Sequence, residues 1–183
     1  MSFTRRHLPH WIPEETPIFV TWRLAGSLPA QADILGLDRR AARKHGCATD
    51  DVNRSSVPPL FGPTWLQDPR VACVVVNALL YGETVRRFYQ LDAWVVMPNH
   101  AHLILWPMPN FTLSEILKGR EQFTATQANR ILGRTGETFW QAESFDHWIR
   151  NDAEKSRIRR YIRCYAEFRI TVENIGPNRR MRL

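Results

Sequence analysis

The sequence predicts an α+β fold of the ferredoxin-like, split βαβ kind, an antiparallel sheet with an added C-terminal helix. Three observations predict it. Strand-like and helix-periodic segments alternate in the order strand, helix, strand, strand, helix, strand, helix; Pro98-Asn99 marks a tight hairpin in the middle; and Ile158, Tyr161, Ile162 and Tyr165 form one stripe of a last amphipathic helix. At 183 residues the chain is long enough for one domain, 1–183, and too short for two large ones.

Each element has a local reason. Ile18 to Leu24 is a β-branched and aromatic run between Pro17 and the turn residues Gly26-Ser27-Leu28-Pro29, which makes it the first strand. Residues 30–45 read as a short polar helix with Arg39, Arg40, Arg43 and Lys44, and 46–69, broken by Pro58, Pro59, Gly62 and Pro63, as a long loop. Asp68 before Pro69 is an N-cap signal for a helix over 70–89, with Val71, Val74, Ala78, Tyr81, Val85 and Phe88 at helical spacing. Trp94 to Met97 and His100 to Trp106 are the hairpin strands. Thr112 with Glu115, and Thr124 with Gln127, have capping-box spacing and open helical segments that end at Gly133 to Gly136. Thr138 to Trp148 is an aromatic segment expected to pair back onto the sheet, and Asn151 with Glu154 caps the final helix.

Composition narrows the classes of function. Hydrophobic residues make up 44% of the chain, which excludes wholesale disorder, and the longest apolar run, Val71 to Tyr81, is too short for a bilayer, so no membrane association is expected. No export signal is read at the N-terminus, and Cys47, Cys73 and Cys164 suggest no disulfide framework, so a cytoplasmic setting is expected. The net charge of +7 calls for an anionic partner, and only three of the 25 basic residues are lysines. Ten basic and four acidic residues fall within 150–183, so the basic surface is largely C-terminal, including a tail over 174–183.

Two constellations carry chemistry. His100 and His102, two apart on a strand, share a face and can hold one divalent ion while leaving positions for water, carboxamide, carboxylate or phosphate oxygen; the plainer alternative is a pair facing solvent or a polar cleft without metal. Tyr161 and Tyr165, at i and i+4, share a helix side, and a tyrosine hydroxyl is a nucleophile once a base or a polarised target assists it; the alternative is aromatic packing. Arg157, Arg159, Arg160 and Arg163 surround the pair, as a DNA backbone would require, although a solvated basic face has the same pattern. A third arrangement, a zinc hydrolase site, would need His147 to join His100 and His102.

Met97-Pro98-Asn99-His100-Ala101-His102-Leu103-Ile104-Leu105 resembles the His-hydrophobe-His segment of the single-tyrosine HUH (IS200-like) transposases, in the branch called REP-associated tyrosine transposases. Arg5 to Trp11, Phe19 to Pro29, Ala128 to Arg134, Phe139-Trp140-Gln141 and Phe145 to Arg150 resemble further segments of that branch, in order, over almost the whole chain. The resemblance implies that His100 and His102 bind Mg²⁺ or Mn²⁺ and that Tyr161 attacks single-stranded or hairpin DNA, leaving a 5′-phosphotyrosine and a free 3′-hydroxyl. It also implies DNA contacts from Arg5, Arg6, Arg23, Arg157, Arg160 and Arg163, and either a monomer or a homodimer with shared sites.

The chain departs from the family where Tyr-Ile is usually followed, after two residues, by Asn-Pro; here Tyr165 and Ala166 stand in those places. The family Asn is a metal ligand, so Tyr165 is a weak ligand, a second nucleophile, or the mark of a decayed site, with Asp152, Glu154 or Glu167 as substitute ligands. The alternative function is therefore a hairpin-DNA-binding protein descended from such a transposase.

Overall fold

A computed structural model describes residues 2–5, 9–12, 16–27, 62–142 and 144–166. The expected helix over 30–45, the loop before residue 62, the tail over 174–183 and Arg6 lie outside the described residues, as do the side chains of Arg5 and Tyr165. Ten elements follow in order, one of them a 3-10 turn at Trp65–Gln67. The strands are β1 (Ser2–Arg5), β2 (Pro9–Ile12), β3 (Ile18–Arg23), β4 (Tyr89–Val96), β5 (His100–Pro107) and β6 (Phe145–Trp148). The helices are α1 (Pro69–Thr84), α2 (Leu113–Ile131) and α3 (Asp152–Ala166). A small antiparallel hairpin joins β1 to β2, which the sequence reading did not anticipate.

The main sheet has the order β4-β5-β3-β6, every neighbouring pair antiparallel. That is the split βαβ order the sequence predicts: β3 and β4, joined through α1, run parallel with β5 inserted between them. Side chains alternate across the sheet. Val20, Trp22, Leu24, Ala101, Leu103 and Leu105 face one side, where they pack with Val71, Ala72, Val75, Val76 and Leu79 of α1 and Leu113, Ile116 and Leu117 of α2. Val95, Met97 and Ile104 face the other, with Ile149 and Ile162, and Ile158 and Tyr161 of α3 lie against them. Helices on both faces leave residues 101–105 of β5 buried without a break.

Several boundaries differ from expectation. The Asp68 cap forms, its carboxylate accepting from the Arg70 amide at 2.9 Å, but α1 stops at Thr84 rather than 89, and Tyr89 opens β4. The expected stripe is also rotated: Tyr81 and Val85 are 47% and 60% exposed, because the sheet and α2 together bury the 72, 75, 76, 79 side. The Thr112 capping box is present, whereas Thr124 lies inside one continuous α2 and opens nothing. Its hydroxyl donates back to the Arg120 carbonyl at 2.7 Å and accepts from the Trp140 indole at 2.8 Å, and a buried tertiary contact thus uses a residue type common at caps. The 138–148 segment contributes β6 and a single bridge from Trp140 to Leu24.

Gly82 lets α1 approach β4. A methyl group there would overlap the hydroxyl end of Tyr89, which donates to the Leu79 carbonyl at 2.9 Å and whose phenol burial pushes up to about 12. Gly82→Ala is expected to lower the unfolding free energy by about 1–3 kcal/mol, the usual cost of overpacking, in a urea titration.

Candidate active site

The site forms where the first half of β5 passes under α3. His100 and His102 point to the α3 side because they alternate with Ala101 and Leu103, and antiparallel register sets Arg23 opposite His100 and Thr21 opposite His102. The Met97 amide donates to the His100 carbonyl at 2.8 Å and closes a two-residue turn over Pro98-Asn99. The Leu24 amide donates to the Asn99 carbonyl at 2.9 Å and Leu66 to that of Pro98 at 3.1 Å, so the turn carrying the histidines is anchored on two sides.

The imidazoles are oriented by their Nδ1 atoms. His100 Nδ1 lies 2.6 Å from the Asn99 side-chain oxygen, an acceptor, so this nitrogen donates and the neutral ring keeps a lone pair on Nε2. His102 Nδ1 lies 2.9 Å from the Thr21 hydroxyl, and Phe19 stacks on the same ring with centroids 5.3 Å apart. The two Nε2 atoms then converge to 3.1 Å. Tyr161, brought in by α3, places its hydroxyl 3.4 Å from His102 Nε2 with the rings edge to face.

Both histidines are held neutral. Burial, with the Arg23 charge second, pushes His100 down to about 3; for His102, only 1% exposed, burial comes first, then His100 and then Arg23, and the shift is again downward. The Thr21 hydroxyl can accept from His102 Nδ1, and in that tautomer both neutral imidazoles present Nε2 lone pairs to the same point, as a metal requires. A separation of 3.1 Å is that of neighbouring ligands on one ion with bonds of about 2.1 Å. Among the described residues no group of three His, Cys, Asp or Glu side chains could hold a metal, so the pair stands as two nitrogen donors.

A stability consequence follows with a definite sign. In the unfolded chain each histidine takes up a proton near pH 6.5, whereas the folded chain resists it to a much lower pH, so the unfolded state binds more protons between those limits. Stability of the metal-free protein is therefore full above about pH 6.5 and falls as pH is lowered below it, by up to about 1.4 kcal/mol per unit for each histidine. Urea unfolding in EDTA at pH 7 and pH 5 is expected to show this fall, and His100→Gln/His102→Gln to reduce it.

His147 does not join the pair. Its Nε2 lies 3.1 Å from a Glu154 carboxylate oxygen, and Glu154 also accepts from the Arg150 amide at 2.9 Å, which removes the three-histidine zinc arrangement. Asp152 is engaged by Lys155 at 2.6 Å, and neither acid approaches the histidines as a substitute ligand; Glu167 lies outside the described residues. Asn151 caps α3 as expected, accepting from the Glu154 amide at 2.9 Å.

The structure thus brings together His100, His102, Tyr161 and the buried Arg23. Arg157, Arg160 and Arg163 lie on the exposed side of α3, away from the sheet. Arg159 differs from them: its guanidinium forms a two-pronged ion pair with Asp92 of β4, Nε to Oδ2 at 2.7 Å and Nη2 to Oδ1. Sequence reasoning missed Thr21, Phe19 and Asp92, and assigned Asn99 to the turn alone. Strand pairing between residues 81 apart has no local signature, although Asn99 directly before His100 was open to a second role.

Comparison with known proteins finds one family and two solved structures to which the chain is similar. The family described as Transposase IS200 like matches residues 80–164, which contain the histidine pair and Tyr161. Over that stretch the chain is similar to the IS200-like transposases. Among solved structures it is similar to a REP-associated tyrosine transposase bound to a REP hairpin, at 16% identity and a TM-score of 0.47, covering 92% of this chain and 74% of that one. It is also similar to a candidate transposase from Deinococcus radiodurans R1, at 11% identity and a TM-score of 0.38, covering 88% of this chain and 95% of that one. No curated protein matches.

Proposed function

We propose that this chain nicks and rejoins single-stranded or hairpin DNA through a covalent Tyr161 intermediate, with a divalent cation held by His100 and His102. The observation that carries the reading is the Tyr161 hydroxyl 3.4 Å from His102 Nε2, beside a convergent pair of neutral imidazoles in the same chain. The cation would withdraw charge from the scissile phosphate. Two nitrogen donors suit Mn²⁺ better than Mg²⁺, which prefers an all-oxygen shell.

The remaining work falls to the protein. Tyr161 loses its phenolic proton to water, and its oxygen attacks phosphorus. The bond from phosphorus to the 3′ oxygen breaks, and that oxygen leaves with a proton as a free 3′-hydroxyl while the 5′-phosphate stays on Tyr161. Attack by a 3′-hydroxyl reverses the step and joins strands without ATP. Arg23, a buried cation opposite His100, is assigned to the reacting phosphate, and the exposed Arg157, Arg160 and Arg163 to the flanking backbone, with Arg5 and Arg6 added from the sequence. Among the described residues the histidines and the tyrosine lie together in one chain, which supports a site within one protomer. Among the described residues no helix is long and apolar enough to cross a membrane.

A second reading rests on Tyr165 and Ala166 in place of the family Asn-Pro and on the lack of a third ligand among the described side chains: a hairpin-binding descendant that no longer cuts. Incubation with Mn²⁺ and a labelled hairpin bearing single-stranded flanks separates them. A denaturation-resistant protein–DNA adduct supports the nicking enzyme; metal-independent binding without an adduct supports the descendant.

A further inference from the structure

Among the polar contacts between helix α3 and the sheet, two fall on the edge strands, one on each. Near its start, Glu154 meets His147 of β6 at 3.1 Å; at its middle, Arg159 grips Asp92 of β4 with both prongs. Asp92 is the extra residue of a β-bulge, since the register with β5 shifts between Leu91 and Ala93. Bulges re-aim side chains, and this carboxylate, only 12% exposed, is turned to the helix instead of to solvent. The apolar contacts of Ile158, Tyr161 and Ile162 on Val95, Met97 and Ile104 set how deep α3 lies, but apolar attraction is non-directional and does not by itself fix one axial register. A bidentate pair does not, because its geometry is directional.

The axial position of α3 matters because it carries a second tyrosine one turn on. Tyr165 follows Tyr161 by four residues, about 6 Å along the axis, so a shift of one turn would exchange the tyrosine presented at His102. We infer that the Asp92–Arg159 clamp is a positioning device that fixes the register of α3 and so selects Tyr161 over Tyr165 as the nucleophile. This rests on the proposed nicking activity for its functional half. Arg159 is accordingly excluded from the DNA-binding arginines that flank it.

The test compares wild type, Asp92→Asn, Arg159→Met and the exchanged pair Asp92→Arg/Arg159→Asp, each as the full chain. Two readouts are taken: amide hydrogen exchange along α3 and the sheet, and tryptic mapping of the DNA adduct, for which Arg163 places Tyr161 and Tyr165 on different peptides. Each single variant is expected to speed exchange in α3 about tenfold with β3 and β5 unchanged, to lower the Tyr161 adduct about tenfold, and to raise the share on Tyr165; the exchanged pair restores both readouts. Unchanged α3 exchange, an adduct that falls without redistribution, or equal loss of protection in helix and sheet would overturn the inference. Wild type giving no adduct would sink the nicking reading and with it the selection of a nucleophile, while α3 exchange still decides whether the clamp holds the helix.

Discussion

His102→Ala is expected to abolish metal-dependent cleavage, lowering the adduct rate by on the order of 10³-fold or more and weakening Mn²⁺ binding by at least about 100-fold. The reason lies in the convergence of two Nε2 atoms at 3.1 Å: removing one imidazole leaves a single nitrogen donor, and no described carboxylate is placed to replace it. Thr21→Val grades the effect. It keeps both imidazoles but removes the hydroxyl that fixes His102 Nδ1 at 2.9 Å, so a loss of about 10–100-fold is expected, as for other oriented ligands. Calorimetric titration with Mn²⁺ and gel assay of the adduct read the two quantities separately. Circular dichroism checks that the buried cavity left by His102→Ala has not unfolded the sheet.

Tyr161→Phe is expected to leave no adduct above background, a loss of on the order of 10³-fold or more, while Mn²⁺ and hairpin binding stay within about threefold of wild type. The substitution removes one oxygen and keeps the ring edge to face with His102, so the helix still packs on Phe19 and Ile104. Tyr165→Phe, one turn further along α3, is expected to keep the adduct. Loss of hairpin binding in Tyr161→Phe would assign the hydroxyl to DNA contact rather than attack.

Much of the fold could be read from local chemistry, because its signals are local: the Asp68 cap, the Thr112 capping box, the Asn151 cap and the Pro98-Asn99 turn all form as the residues require. Periodicity also set His100 and His102 on one face, and Tyr161 and Ile158 on one stripe. The failures are tertiary. Which side of α1 is buried was decided by the sheet and α2, and Thr124 became a partner for Trp140 instead of a cap. At the site, the histidine pair and the tyrosine were legible as residue types at fixed spacing. The groups that orient them were not, since Thr21 and Asp92 meet their partners 81 and 67 residues away across the sheet. Arg159 shows the same limit: in sequence it is one of a run of arginines, and only the fold separates it from the exposed ones by giving it Asp92.

The most direct test of the account maps the covalent bond. Wild-type protein is incubated with Mn²⁺ and a flanked DNA hairpin, denatured, digested with trypsin and sequenced by mass spectrometry. A nucleotide mass is expected on the peptide Tyr161-Ile162-Arg163, absent when EDTA replaces Mn²⁺. A modified peptide from Cys164 to Arg169, an adduct that persists in EDTA, or hairpin binding with no modified peptide would contradict it.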